Sequence, residues 1–251
     1  MIAIGARVGC VSLLFVVACF AVAAGARAEP AADYAALLAA PDRSDADRQA
    51  DRRRDPLPFL LFAGPRPGMK VLDMGAGGGY STELMARAVA PNGSVYAQYP
   101  ADGNERAKAA FAARMNRPAM NNVVLLARPF DDPVPGDVHD FDLITFLFYY
   151  HDTTYMSVDR AEMDRKLFAA LKPGGLLVIA DHSARPGDGV TVGKTLHRIE
   201  EASVRKEIEA AGFRLVGAGD FWRHPEDTRD FVSFKPTTPV DAFVLKFAKP
   251  R

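Results

Sequence analysis

Short apolar runs alternate along this chain with amphipathic stretches of helical period, which predicts repeated strand–helix units. The runs Lys70–Met74, Ser94–Gln98, Val123–Ala127, Phe141–Phe146 and Leu176–Ala180 read as five strands. The fourth is apolar enough for a strand buried on both faces. Helices are expected over Tyr80–Val89, Gly103–Asn116 and Val158–Leu171. Pro91-Asn92-Gly93 ends the first, and Lys172-Pro173-Gly174-Gly175 ends the third. Beyond a loop over Ser183–Thr195, the pattern predicts a helix from Leu196 to Ala211, then a strand from Gly212-Phe213 to about Ala218. The last run, Ala242–Phe247, alternates as an antiparallel strand. Repeated βα units give a doubly wound, mostly parallel sheet with right-handed crossovers, in three αβα layers, with an antiparallel C-terminal edge strand.

Upstream, Tyr34, Leu37 and Leu38 sit at helical spacing and Ser44 can cap the next segment. Pro56 and Pro58 are expected to break that helix, and Leu57–Phe62 forms an apolar anchor. Further upstream, Arg7 precedes an apolar run from Val8 to Ala24, followed by Ala26-Arg27-Ala28. That is the pattern of a signal peptide cleaved after Ala28, and it implies a periplasmic protein. Val16-Val17-Ala18-Cys19 also resembles a lipoprotein box that would leave Cys19 lipidated; cleavage after Ala28 is preferred. The expected organisation is a signal peptide (1–28), an N-terminal helical lid region (29–62) and one α/β domain (63–251).

Composition narrows the function. The chain has 251 residues, 49% apolar and 25% charged, enough for one sizeable core. Net formal charge is zero, which argues against a nucleic-acid partner. Both cysteines, Cys10 and Cys19, lie in the leader, so cleavage leaves no disulfide and no thiol nucleophile. No stable membrane span is expected after cleavage, and no oligomeric state is assigned. Arg52-Arg53-Arg54 is interleaved with acids and reads as a solvated helix face.

The chemistry centres on Asp73-Met74-Gly75-Ala76-Gly77-Gly78-Gly79-Tyr80, where a strand ends on an acid and glycines lead into a helix. Glycines let a ligand approach the backbone, and the helix N-terminus offers unpaired N–H groups. The spacing is D-x-G-x-G-x-G. A dinucleotide fingerprint needs a third glycine where Tyr80 stands, which counts against a nicotinamide oxidoreductase. This motif, the order of elements and the later Leu171-Lys172-Pro173-Gly174-Gly175 phrase resemble the class I S-adenosylmethionine (SAM) dependent methyltransferases, from about Leu57 onward. More narrowly the chain resembles a group of exported bacterial predicted methyltransferases.

The resemblance implies a Rossmann-like fold, SAM as cofactor and a small-molecule methyl acceptor. It places the cofactor along Asp73, Gly75, Ala76, Gly77, Gly79 and Tyr80, with Asp73 orienting the loop or accepting from the cofactor ammonium. After the second strand the family has an acid for the ribose hydroxyls, and here the position falls on Tyr99. A neutral hydrogen bond contributes about 1 kcal/mol against about 1.5–3 for a charged one, so affinity could fall roughly tenfold. Gln98, Asp102 or Glu105 could compensate. Phe130 and Asp131 fall where the family contacts adenine, and Tyr149 and Tyr150 could wall the ligands. The resemblance also makes the lid region cover the cofactor mouth; simple packing on the sheet is the other reading.

Ligands in open parallel sheets sit beyond the strand carboxyl ends. That rule selects His151 as a general base, its ordinary pKa lying near neutrality, with Asp181 and His197 completing the catalytic set. His197 and Glu200 would share one helix face. His151, Asp152, Asp181, His182 and His197 would all face one mouth, a set that suits zinc. No compact ligand motif such as H-E-x-x-H is present, so no metal is assigned. The competing reading is a catalytically degenerate protein of the same fold that binds another nucleoside-like or small ligand.

Overall fold

The computed structural model describes residues 1–2, 33–100, 103–234 and 238–251. The expected signal peptide and lipoprotein box fall almost wholly on residues outside this set, as does Asp102. Among the described residues no helix is long and apolar enough to cross a membrane.

Among the described residues seven strands form one sheet: β1 (Lys70–Met74), β2 (Ser94–Tyr99), β3 (Val123–Ala127), β4 (Phe141–Leu147), β5 (Leu171–His182), β6 (Arg214–Gly219) and β7 (Ala242–Ala248). Their order is β3-β2-β1-β4-β5-β7-β6. The pairs β1–β2, β1–β4, β2–β3 and β4–β5 are parallel, and β7 is antiparallel to both neighbours. The antiparallel C-terminal strand thus lies one place in from the edge, which β6 occupies. Both of its faces are covered, with Phe243, Val244, Leu245 and Phe247 almost fully buried.

Among the described residues the α-helices are α1 (Tyr34–Ala39), α2 (Asp45–Arg54), α3 (Pro56–Ala63), α4 (Tyr80–Val89), α5 (Glu105–Met115), α6 (Arg160–Ala170), α7 (Gly193–Leu196) and α8 (Glu201–Ala210). Ser44 caps α2 by accepting from the Asp47 N–H. Pro56 ends that helix as expected, but it also starts the next: Pro56 and Pro58 occupy the first turn of α3, where a missing N–H leaves nothing unpaired. The helix expected from Leu196 begins only at Glu201, and Leu196 instead ends α7. His197 adopts a left-handed conformation (φ 51°), and Ile199 makes an isolated bridge to Ser183 before α8 begins.

The core divides on either side of the sheet. Phe130, Phe141, Phe146, Tyr150, Leu167 and Phe213 belong to one cluster; Phe59, Leu60, Leu84, Met85, Phe111 and Val244 belong to the other. The N-terminal helices are part of the second cluster. Tyr34 donates to the Pro65 carbonyl at 2.8 Å, and Phe59 stacks on Trp222 at 5.6 Å.

Candidate active site

The parallel strands β1, β2, β4 and β5 end at one edge of the sheet, and the chemistry-bearing side chains collect there. Between β1 and α4, Gly75, Gly77 and Gly79 hold φ values of 63°, 53° and 80°. These are left-handed conformations that other residues adopt at a cost of about 1–2 kcal/mol. A Cβ on Gly75 would lie 2.9 Å from the Tyr149 side chain, and one on Gly79 would lie 3.0 Å from Phe111 and Arg114. Gly77 differs: a Cβ there would meet nothing closer than 3.9 Å. The loop is therefore tightly packed at its two ends and only loosely packed at Gly77, where the Tyr149 ring lies at ordinary contact distance, 3.9 Å.

Asp73 braces this loop. Its carboxylate accepts hydroxyl hydrogens from Ser81 (2.9 Å), Thr82 (2.7 Å) and Thr145 (2.8 Å), tying β1 to the start of α4 and to β4. Burial raises its pKa, opposed by those hydroxyls. Fully enclosed, Asp73 orients the loop and offers nothing to a cofactor ammonium. Gln98 supplies a second brace: its Oε1 accepts from Gly75 N (3.0 Å), its Nε2 donates to the Arg128 carbonyl (2.7 Å), and its own carbonyl accepts from Ala76 N (2.9 Å). Gln98 is fully buried, so it does not stand in for a ribose acid.

Four other cofactor expectations are corrected. Ala76 is buried and its N–H is taken by Gln98. Tyr80 turns toward α2: its hydroxyl donates to Asp51 at 2.5 Å and the Arg54 guanidinium covers its ring at 4.9 Å. Phe130 is 1% exposed, stacked on Phe146 at 5.7 Å, with no face left for an adenine. Tyr150 is fully buried and its hydroxyl reaches Asp164 and Glu207, so it walls no ligand. Asp131 is half-buried and accepts from the Asp159 N–H at 3.1 Å with one oxygen. Tyr99 closes β2 half-buried, and the nearby Glu105 pairs with Lys108. Tyr149 does lie on the glycine loop, its ring over Gly75. Clefts of about 420 and 330 Å³ lie away from this loop, beside Pro91 and beside Asp164.

The second group follows β4 and β5. His151 opens a 3₁₀ turn, and its Nδ1 meets Asp181 Oδ1 at 2.7 Å. Asp181 is wholly enclosed and also accepts from the backbone N–H of His151 and of His182, each at 2.8 Å. His151 Nε2 lies 3.2 Å from His197 Nδ1 and 3.2 Å from Asp152 Oδ1. The catalytic set read from sequence is thus brought together, with Asp152 as a further member. Glu200 is not one: it accepts from Gly189 N at the start of α8. Burial, the largest single influence, pulls the His151 pKa down, but Asp181 and Asp152 together outweigh it and raise it to about 10. The expectation of a base poised near neutrality is corrected accordingly: between two carboxylates the ring keeps its proton at pH 7. His182 goes the other way, burial lowering its pKa to about 4, and its buried Nδ1 has no partner among the described residues.

Sequence reasoning missed Ser81, Thr82 and Thr145 as the partners of Asp73. Hydroxyls immediately after a glycine loop were the available signal for the first two. Gly193 was missed as well. A Cβ there would lie 2.2 Å from Thr154 Oγ1 and 2.7 Å from the His151 carbonyl, so only glycine lets α7 seat against the His151 turn.

A family model described as Methyltransferase domain matches residues 47–227. The ubiquinone/menaquinone biosynthesis C-methyltransferase of Cupriavidus necator is 30% identical over 165 residues, 66% of this chain and 61% of that protein. Its counterpart in Burkholderia multivorans is 33% identical over 124 residues, 49% of this chain and 47% of that protein. The chain therefore spans between about half and three-fifths of the length of these curated relatives. A SAM-dependent methyltransferase from Aquifex aeolicus superposes with a TM-score of 0.58 at 21% identity, covering 82% of this chain and 99% of that one. The [4+2]-cyclase SpnF gives 0.58 at 17% identity, with 82% of each chain covered. At such identity the likeness concerns the fold.

Proposed function

Since this chain belongs to the class I SAM-dependent methyltransferases, we propose that it transfers a methyl group from SAM to a small-molecule acceptor held at the carboxyl edge of β4 and β5. The observation that carries this reading is the loosely packed Gly77, where a Cβ would meet nothing closer than 3.9 Å, within a loop otherwise braced by Asp73 and Gln98. A brace that holds a backbone off its own side chains is what close approach by a ligand requires. The residues fit the cofactor there, with Gly77 as its contact.

SAM supplies an electrophilic methyl carbon on a sulfonium. The chain's part is position: an in-line displacement gains most when donor and acceptor are held about 3–3.5 Å apart and aligned. Asp181 fixes the His151 ring through Nδ1, leaving Nε2 facing His197 and the acceptor side. Tyr149 stands between that side and the glycine loop.

Calorimetric titration of the purified protein with SAM and with S-adenosylhomocysteine tests this. Binding of both is expected; no heat and no thermal shift with either overturns the proposal. The second reading, a protein of this fold binding another nucleoside-like ligand, is favoured by Tyr99 in place of a ribose-binding acid. Mass spectrometry of molecules released from freshly purified protein would identify that ligand. Export is part of the proposal, supported by the Val8–Ala24 run and Ala26-Arg27-Ala28. N-terminal sequencing of the mature protein should begin at Glu29.

A further inference from the structure

Three ligand atoms from two places in the chain, 46 residues apart, converge on one point: His151 Nε2 and its neighbour Asp152 Oδ1, and His197 Nδ1. Their separations are 3.2 Å (His151–His197), 3.2 Å (His151–Asp152) and 3.5 Å (His197–Asp152). A tetrahedral zinc site with bonds of about 2.0–2.1 Å has ligand atoms about 3.3 Å apart. The triangle therefore has the dimensions of one face of such a site.

Chemistry agrees with size. Each of the three atoms carries a lone pair once its proton is off, and at these distances the pairs face one another. In the metal-free protein the proton kept by His151 satisfies one pair; a metal ion in place of that proton would bridge all three. Two imidazoles and a carboxylate suit a borderline divalent ion rather than magnesium or calcium. The outer partners are also present. Asp181 holds the far nitrogen of His151 at 2.7 Å, the carboxylate–histidine arrangement that fixes a metal-binding ring. The Tyr155 hydroxyl donates to Asp152 Oδ1.

The backbone is bent to make the contact. His197 sits in the left-handed region at φ 51°, unusual for a residue with a side chain, and Ser233 Oγ holds its carbonyl at 2.8 Å. Side-chain exposure rises from 5% at His151 to 17% at Asp152 and 36% at His197. The group thus lies at the rim of the buried region with His197 on its solvent side, where a fourth ligand could reach it.

We propose that His151, Asp152 and His197 bind one divalent cation of the zinc class, whose open position takes the oxygen of a hydroxyl-bearing acceptor. The cation site stands on its own geometry; only its use on an acceptor rests on the methyl transfer proposed above. In that use the coordinated hydroxyl releases its proton to water, and the oxygen forms the new bond to the methyl carbon. The C–S bond breaks with its electron pair going to sulfur, leaving a neutral thioether.

The test uses the full mature chain, stripped with chelator and titrated calorimetrically with zinc chloride. One zinc per chain is expected, and cobalt(II) in its place should show the visible bands of a tetrahedral site. His197→Gln and Asp152→Asn should each weaken zinc binding at least about tenfold, and Asp181→Asn about 10- to 100-fold. A His139→Gln/His224→Gln double variant, altering exposed histidines, should bind as the parent does. Thermal unfolding in chelator checks folding; if Asp152→Asn unfolds, the more exposed His197→Gln decides. No zinc binding by the parent, equal binding by His197→Gln, or loss in the double variant overturns the site. S-adenosylhomocysteine is titrated into the same stripped protein. A protein that binds S-adenosylhomocysteine but fails to bind zinc would sink the cation site and keep the transfer; one that binds zinc but not S-adenosylhomocysteine would do the reverse.

Discussion

At the scale of single residues, Gly75 and Gly77 share a backbone conformation but differ in what surrounds them. An alanine at Gly77 carries only the left-handed strain, about 1–2 kcal/mol, because its methyl meets nothing within 3.9 Å. At roughly 2–4 °C per kcal/mol the melting temperature should fall by a few degrees. Affinity for S-adenosylhomocysteine should fall by more than about tenfold, since the methyl enters the space the ligand needs. An alanine at Gly75 adds a 2.9 Å clash with Tyr149 to the strain, so it should lose stability first. Calorimetry and thermal melts on both variants separate the two effects. Unchanged affinity in Gly77→Ala would mean that no ligand lies there. The glycine spacing was legible in sequence because φ near +60° selects that residue. The fates of Asp73, Phe130 and Tyr80 were not, because each depends on partners far along the chain: Thr145, Phe146 and Asp51.

Between elements, buried charge does much of the joining. Asp47 of α2 meets Arg114 of α5 at 2.6 Å and Arg117 at 2.7 Å, and Glu83 of α4 meets Arg117 at 2.9 Å. Burial alone would raise the Asp47 pKa, but hydrogen bonds from Arg114, Arg117 and Ser44 hold it well below the usual carboxylate range. A depressed folded pKa gives stability that is fully present above the unfolded value near 3.8 and lost as pH falls through the folded one. Asp47→Asn should therefore cost about 3–5 kcal/mol at pH 7, with the gap to the parent closing only in strong acid. Denaturant unfolding from pH 7 to pH 2 measures it. Asp164 of α6 is the opposite case. Burial raises it to about 7, and its Oδ1 has no partner among the described residues. Its contribution is favourable below the unfolded value and is lost as pH rises toward 7. Asp164→Asn should thus stabilise the protein at pH 8, by of order 1–4 kcal/mol, and change little at pH 4. Helix existence was legible from period and caps, with Ser44 placed correctly. The break at His197 was not, because Leu196 to Ala211 keeps a helical pattern through it and Ser233, on a remote loop, holds the turned carbonyl.

On the scale of the whole molecule, sequence pattern separates residues 29–62 from the domain, while packing joins the described part of them to it. The period of the strands was legible, but where α1–α3 dock depends on contacts over long sequence distances. The chain's single tryptophan, Trp222, lies at that junction. Phe59 of α3 stacks on it at 5.6 Å, Phe148 beyond β4 approaches at 5.5 Å, and its indole N–H donates to the Asp55 carbonyl at 3.3 Å. Lys246 of β7 sits over the neighbouring Phe62 ring at 4.2 Å. One fluorophore therefore reports on the N-terminal helices, the carboxyl edge and the C-terminal strand together. If these form a single cooperative unit, urea unfolding followed by tryptophan emission and by far-ultraviolet dichroism should give one midpoint. A lid that opens independently would shift the emission at lower urea than the dichroism. Phe59→Ala removes the stacking partner and leaves a void under α3, so both midpoints should fall together, for a loss of about 3–5 kcal/mol. A fall in the emission midpoint alone would mean that α1–α3 detach as a separate body, and the cofactor edge would then be covered by a movable element.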